Sequence, residues 1–191
     1  MDLPKVRELL AGLYGHDAGG SVYKRLAQLL ENFNVRTSTL HQGGLDQRDM
    51  ILIAYPDQIR QEGRPSLSVL EDFCRLHLRN VIPGIHILPF YPWTSDDGFS
   101  VVNYREVDPR YGDWEDIHRL GQNFKLMFDA VINHVSVRSA WFQSMLAGDD
   151  RYQDYFVIPN DGDDLSRVVR PRALPLLTEF QTANGAVKVW T

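Results

Sequence analysis

A single cysteine, Cys74, stands in 191 residues, so no internal disulfide staples this fold and its stability must come from a packed core. One cysteine also fits a reducing compartment, and a cytoplasmic location is expected. No apolar stretch reaches the ~20 residues that a membrane-spanning helix requires. The first ten residues, MDLPKVRELL, lack the apolar core of a signal peptide. Positive charge is scarce as well. Lys and Arg number 20 against 25 Asp and Glu, a formal net charge of −5, and no basic run exceeds two residues. That balance argues against nucleic acid or an anionic membrane as a partner. What is present is core-forming material: 43% hydrophobic residues, with 9 Phe, 8 Tyr and 4 Trp, far too many for a disordered chain. The length suits one domain or one and a fraction.

Residues 1–48 read as a helical extension. Val6, Leu9, Leu10 and Leu13 recur at helical spacing. Gly15 and then Gly19-Gly20 are expected to break the pattern, with Ser21 capping a second helix that carries Val22, Leu26, Leu29 and Leu30. The polar, glycine-containing stretch 37–48 reads as a connection. From residue 49 to 147 the texture changes. Apolar runs at 50–55, 85–88 and 124–131 each suit a strand buried on both faces, as parallel sheets require. Amphipathic helices are expected at 68–79, 114–120 and 139–146, the last capped by Ser139. Such alternation implies an α/β fold with parallel strands. No G-x-G-x-x-G follows the first strand, so the dinucleotide-binding version loses its fingerprint. Residues 148–191 break the rhythm with an acidic loop, prolines and a short strand at 187–190. Three βα units do not close an eight-unit barrel, so a longer parent enzyme is expected.

Two loops concentrate chemistry. The first, residues 89–100, mixes Phe90, Tyr91 and Trp93 with Asp96, Asp97 and Phe99, at the strand ends where α/β folds bind ligands. Aromatics stack on a sugar face while a carboxylate takes its hydroxyls; against this, Asp-Asp-Gly is ordinary turn chemistry. The second loop carries Asp129, Asn133 and His134. A carboxylate ending a buried strand needs a compensating partner, and a neutral imidazole just beyond it can donate to a substrate oxygen. The structural alternative has Asn133-His134 capping the next helix and Asp129 paired with an arginine. Elsewhere the bland reading prevails. His86 reads as a satisfied core histidine, Trp141 and Phe142 as core, and Asp161-Gly162-Asp163-Asp164 as a solvated turn. No histidine pair has zinc-ligand spacing, and Ser136 lacks a G-x-S-x-G elbow.

Taken together, the segment from Asp129 to His134 resembles the D-x-x-x-N-H first conserved region of the alpha-amylase superfamily, whose fold is a (β/α)8 TIM barrel. Leu88-Pro89-Phe90-Tyr91-Pro92, Ser95-Asp96-Asp97-Gly98-Phe99, Val107-Asp108 and Arg170-Pro171-Arg172 with Leu174-Pro175 resemble more narrowly its sucrose phosphorylase branch. The helical extension is similar to the members acting on glucosylglycerate and sucrose 6-phosphate. The resemblance implies an α/β fold, the N-terminal part of a (β/α)8 barrel. It would comprise a helical extension (1–48), the first three βα units (49–147) and the start of an inserted subdomain (148–191). It implies that Asp96 holds glucose hydroxyls, Phe99 lines the donor pocket, His134 binds the sugar, and Asp129 and Asn133 organise the site. It implies a retaining double displacement in which phosphate takes the glucosyl group to give α-glucose 1-phosphate. The partners would be a glucoside and inorganic phosphate. No cofactor is expected, and no metal either, because that branch generally lacks the calcium that Asn133 ligates in many amylases.

The family's nucleophile and acid/base belong to later strands, so no catalytic residue is assigned within these 191 residues. The alternatives are an α-glucoside hydrolase of the same superfamily and a non-catalytic remnant or interaction module. The expected outcome is that the purified chain alone releases no glucose 1-phosphate from a glucoside and phosphate. Phosphate-dependent release above a heat-killed control overturns that expectation.

Overall fold

The computed structural model describes residues 3–37, 46–160, 162–169 and 175–191, in two compact units, Met1–Leu45 and Asp46–Thr191. Most of the expected connection at 37–48, the resemblance motif at 170–174 and Asp161 lie outside the described residues. In the first unit, α1 (Leu3–Tyr14) and α2 (His16–Thr37) pack against each other. The chain turns at Gly15, whose φ of +79° is left-handed. The expected break at Gly19-Gly20 does not occur, because both glycines lie inside α2. Ser21 is consequently no cap; its hydroxyl donates to the Asp17 carbonyl one turn back at 3.3 Å. The glycine answers a different need. A Cβ on Gly19 would stand 2.6 Å from the Leu10 carbonyl oxygen and 2.7 Å from Ala11 Cα, so its absence permits the close approach of the two helices.

The second unit is built around β1 (Ile51–Ala54), β2 (Gly84–Ile87) and β3 (Lys125–Phe128), hydrogen-bonded in that order and all parallel. Helices α3 (Ser66–His77) and α4 (Trp114–Asn123) connect them. Ala54, Ile85 and Ile87 face Leu67, Leu70 and Cys74 of α3 and Ile117 and Leu120 of α4 in one buried cluster. The apolar runs predict strands buried on both faces, but only one face is buried. Both helices cover the same face, and on the other Ile51, Ile53 and Met127 keep 49%, 62% and 45% of their surface exposed. Helix α4 starts on a capping box. The Asp113 carboxylate accepts from the Glu115 and Asp116 amides, and the Asp116 carboxylate accepts from the Asp113 amide.

Beyond β3 lie α5 (Ala140–Leu146), capped as expected by Ser139, whose Oγ accepts from the Phe142 amide at 3.1 Å. A hairpin of β4 (Leu177–Thr182) and β5 (Gly185–Trp190) follows. Phe142, Met145 and Val189 form a second small core there, with Phe180 edge-on to Phe142 at 4.8 Å.

Asp108 joins the exit of β2 to the entry of α4. Its amide donates to the Phe90 carbonyl and its carbonyl accepts from the Tyr111 amide, both at 2.8 Å. Its buried carboxylate accepts from Arg110 through the amide (2.9 Å), Nε (2.9 Å) and Nη2 (2.6 Å). The Arg110 guanidinium, which also lies over the Trp93 ring at 5.2 Å, holds the Asp108 carboxyl below its ordinary value, and burial opposes that only in part. A folded value below the unfolded one stabilises the fold above the unfolded value, near 3.8. That contribution is lost as pH falls through the folded value. Asp108→Asn should therefore cost about 1–3 kcal/mol at pH 7 and flatten the acid limb of stability below about pH 4. Urea melts across that range check it.

Candidate functional site

The loop leaving β2 is folded back on itself. The Thr94 amide donates to the Ser100 carbonyl at 3.1 Å, Ser100 to Ser95 at 3.2 Å, and Val102 to Pro92 at 2.7 Å. At its tip, Asp96 (φ +61°), Asp97 (φ +48°) and Gly98 (φ +102°) are left-handed in succession. Aspartate tolerates that region better than most residues because its short side chain bonds locally. Only glycine fits at 98: a Cβ there would stand 2.9 Å from the Pro89 carbonyl oxygen. The tight turn sets the Asp96 side chain apart from its neighbour, placing Asp96 on the wall of a cavity that Asp97 does not line.

The loop leaving β3 begins at Asp129. Its Oδ2 lies 2.9 Å from Nε2 of His86 on β2, with both side chains mostly covered, at 25% and 17% exposure. The partner of Asp129 is thus a histidine, not the arginine of the structural alternative. His86 has its partner, but on the uncovered sheet face rather than in the core. Asn133 and His134 are exposed and do not cap α5, whose cap is Ser139. The two loops are tied together by Ser136, which is buried. Its amide donates to the Val101 carbonyl at 2.8 Å, and its Oγ lies 2.8 Å from Thr94 Oγ1.

Between the loops and the β4–β5 hairpin lies a cavity of about 870 Å³. Asp96, Asn133 and His134 share its wall with Tyr104, Trp141, Tyr155 and Trp190. Phe99, half-buried behind the turn, and Asp129, engaged with His86, do not line it. Among the described residues Asp96 is the one acidic side chain on the wall, so the cavity holds no carboxylate pair for acid/base work. Among the described residues, no group of His, Cys, Asp or Glu is placed to hold a metal ion. No helix among them is long and apolar enough to cross a membrane. Burial pushes the Cys74 thiol up to about 11, which removes it as a nucleophile.

The catalytic-domain profile of the alpha-amylase family matches residues 81–181, the stretch that holds both loops. The chain belongs to the alpha-amylase family. Among its relatives are phosphorylases of that family. It is 50% identical over 186 residues to the glucosylglycerate phosphorylase of Allomeiothermus silvanus, covering 97% of this chain and 33% of that one. It is 44% identical over 193 residues to that of Spirochaeta thermophila, covering 98% and 33%. The crystal structure of sucrose 6F-phosphate phosphorylase from Thermoanaerobacter thermosaccharolyticum superposes with a TM-score of 0.66 at 30% identity, over 80% of this chain and 32% of that one. The chain therefore spans about a third of the length of these alpha-amylase relatives.

None of the wall aromatics Tyr104, Trp141, Tyr155 and Trp190 is marked as such by the sequence. Trp141, expected in the core, is half-buried on the cavity wall; Phe142 beside it is buried as expected and also borders the cavity. Tyr104 was not singled out. Its position three residues before Val107-Asp108 carries no local signal, and its importance appears only in three dimensions. Replacing Gly98 with alanine in this alpha-amylase family chain should cost about 2–3 kcal/mol, from the strained φ and the Pro89 clash together. Asp97→Ala, with no such clash, should cost under about 1 kcal/mol net. Thermal melts of the two variants check the contrast.

Proposed function

We propose that this chain supplies the glucose-binding side of a retaining α-glucosyl phosphorylase. It would be the N-terminal part of its (β/α)8 barrel, with residues 1–48 as a helical extension, 49–147 as the first three βα units and 148–191 as the start of an inserted subdomain. The observation that carries this is the convergence of Asp96, Asn133 and His134 on one cavity, in a chain that matches three glucosylglycerate phosphorylases across nearly its whole length. In this reading the donor is glucosylglycerate, the acceptor is inorganic phosphate and the product is α-glucose 1-phosphate.

The chemistry of the wall suits a glucosyl unit. An ionised Asp96 accepts hydrogen bonds from two sugar hydroxyls, and His134 supplies a directional ring nitrogen, while Trp141 and Tyr155 offer apolar faces for the ring carbons. Phe99 would reach the donor sugar from behind the Asp96 turn, and Asp129, oriented by His86, would organise the strand ends. The uncovered sheet face, with Ile51, Ile53 and Met127, is the one that a closed barrel fills with side chains from its other strands. The groups that make and break bonds would come from those strands as well.

A chimera tests this. The matching third of the Allomeiothermus silvanus glucosylglycerate phosphorylase is replaced by this chain, and α-glucose 1-phosphate is measured. The chimera should act on glucosylglycerate only with phosphate present. Asp96→Ala and His134→Ala should each lower kcat/KM by roughly 10- to 100-fold, about 1.5–3 kcal/mol for a charge-assisted hydrogen bond. Asp97→Ala should stay within about threefold. Near-native activity of both alanine variants defeats the site assignment, and glucose release without phosphate favours a hydrolase.

A further inference from the structure

Beyond the buried Val131, the stretch 132–134 that carries Asn133 and His134 has little packing of its own. Ile132 is 86% exposed, and Asn133 and His134 are exposed too. Yet its two ends converge on a single side chain. The Tyr104 hydroxyl donates to the Val131 carbonyl at 2.6 Å and is shared with the His134 carbonyl at 3.0 Å. Tyr104 is 27 residues from the first of these groups and 30 from the second, so the contact is tertiary, not a turn closing on itself. The ring that delivers the hydroxyl is itself held: it stacks on Trp141 at 5.4 Å and 22°, and Tyr91 meets it edge-on at 5.6 Å.

We propose that Tyr104 is a positioning residue, whose hydroxyl fixes the backbone of residues 131–134 and thereby sets where His134 meets a sugar. This rests on the reading of His134 as a sugar-binding residue. The physical case is one of order. An exposed segment with few apolar contacts opens easily unless its backbone groups are paired. A phenol pinned between two aromatic rings is a fixed donor, since its ring has little rotamer freedom left. Bridging two carbonyls three residues apart constrains the intervening peptide units together. Burial raises the Tyr104 phenol above its ordinary value, which keeps it a donor at neutral pH.

The test is NMR on the 191-residue chain, its Tyr104→Phe variant and its Tyr104→Leu variant. Tyr104→Phe keeps the ring against Trp141 and removes only the hydroxyl. In that variant the amide order parameters of residues 132–135 should fall from about 0.85 to below about 0.6 while β1, β2 and β3 keep theirs. The His134 ring signals should move, and D-glucose titrated into the same samples should bind at least ~3-fold more weakly. Tyr104→Leu should lose the same loop order. Unchanged order parameters and His134 ring signals in Tyr104→Phe overturn the proposal, and so does a loosened loop with unchanged glucose affinity. If the parent chain does not bind glucose, the sugar reading falls alone and the relaxation data still decide the role of Tyr104. Should the variants fail to fold, the parent chain decides. A slowly exchanging Tyr104 hydroxyl proton with cross-peaks to residues 131–134 upholds the clamp, and rapid exchange with water overturns it.

Discussion

In β1, β2 and β3 the register places Ala54, Ile87 and Phe128 on one face and Ile53, His86 and Met127 on the other. Because α3 and α4 both cover the first face, the second is left to whatever the strand order and the strand ends bring to it. Parallel strands lie about 4.8 Å apart, so the loops leaving β2 and β3 start as neighbours. Their contents must meet unless the loops diverge at once. The hydrogen bond between His86 and Asp129 is the first consequence: the pair shares the uncovered face, one partner at the end of each strand. It supplies the compensation that a carboxylate at a strand end requires.

The second consequence is the way the loops stay together after leaving the sheet. Ser136 reaches Val101 with its amide and Thr94 with its hydroxyl, and Tyr104, on the same stretch as Val101, reaches back to Val131 and His134. The two connections run in opposite senses. The β3 loop donates to the β2 loop at Ser136, and the β2 loop donates to the β3 loop through Tyr104. Such ties are costly to break singly where the partner is buried, as it is at Ser136, Val101 and Val131. That reciprocity explains how Asp96 and His134, 38 positions apart in the sequence, come to line one cavity.

The parts of this arrangement legible in the sequence were those written in short-range patterns. Short, largely apolar runs mark β1, β2 and β3, and Ser139 announces α5, because strand burial and helix capping leave their signature within a few residues. Asp96, Asn133 and His134 were visible through their motifs, and the cavity brings those three together. Strand β4 was not legible. Thr178, Glu179 and Gln181 dilute its apolar residues, and the half-buried Phe180 packs against Phe142, Met145 and Val189, two of them far away in the chain. Gly19-Gly20 misled for a related reason: the glycine there serves a crossing with α1, a tertiary need that local helix propensity does not encode. Tyr104 and Trp141 belong to the same class, since a stack between them has no counterpart in spacing or composition.

The strain at the tip of the β2 loop has the same logic as these long-range ties. Two consecutive aspartates in the left-handed region cost free energy that an ordinary turn would avoid. A relaxed turn would need neither. The surrounding bonds over-determine the loop, from the Thr94–Ser100 closure to the Val102–Pro92 link, and so hold the tip in a geometry it would not choose alone. What that geometry achieves is to separate two adjacent carboxylates, sending Asp96 to the cavity and Asp97 away from it. With Asp96 the one acidic group on the wall among the described residues, a second carboxylate beside it would raise the cost of keeping both ionised. The strained turn and the parting of the two carboxylates are therefore one feature: the backbone is bent so that one of the adjacent aspartates, and not both, lines the cavity.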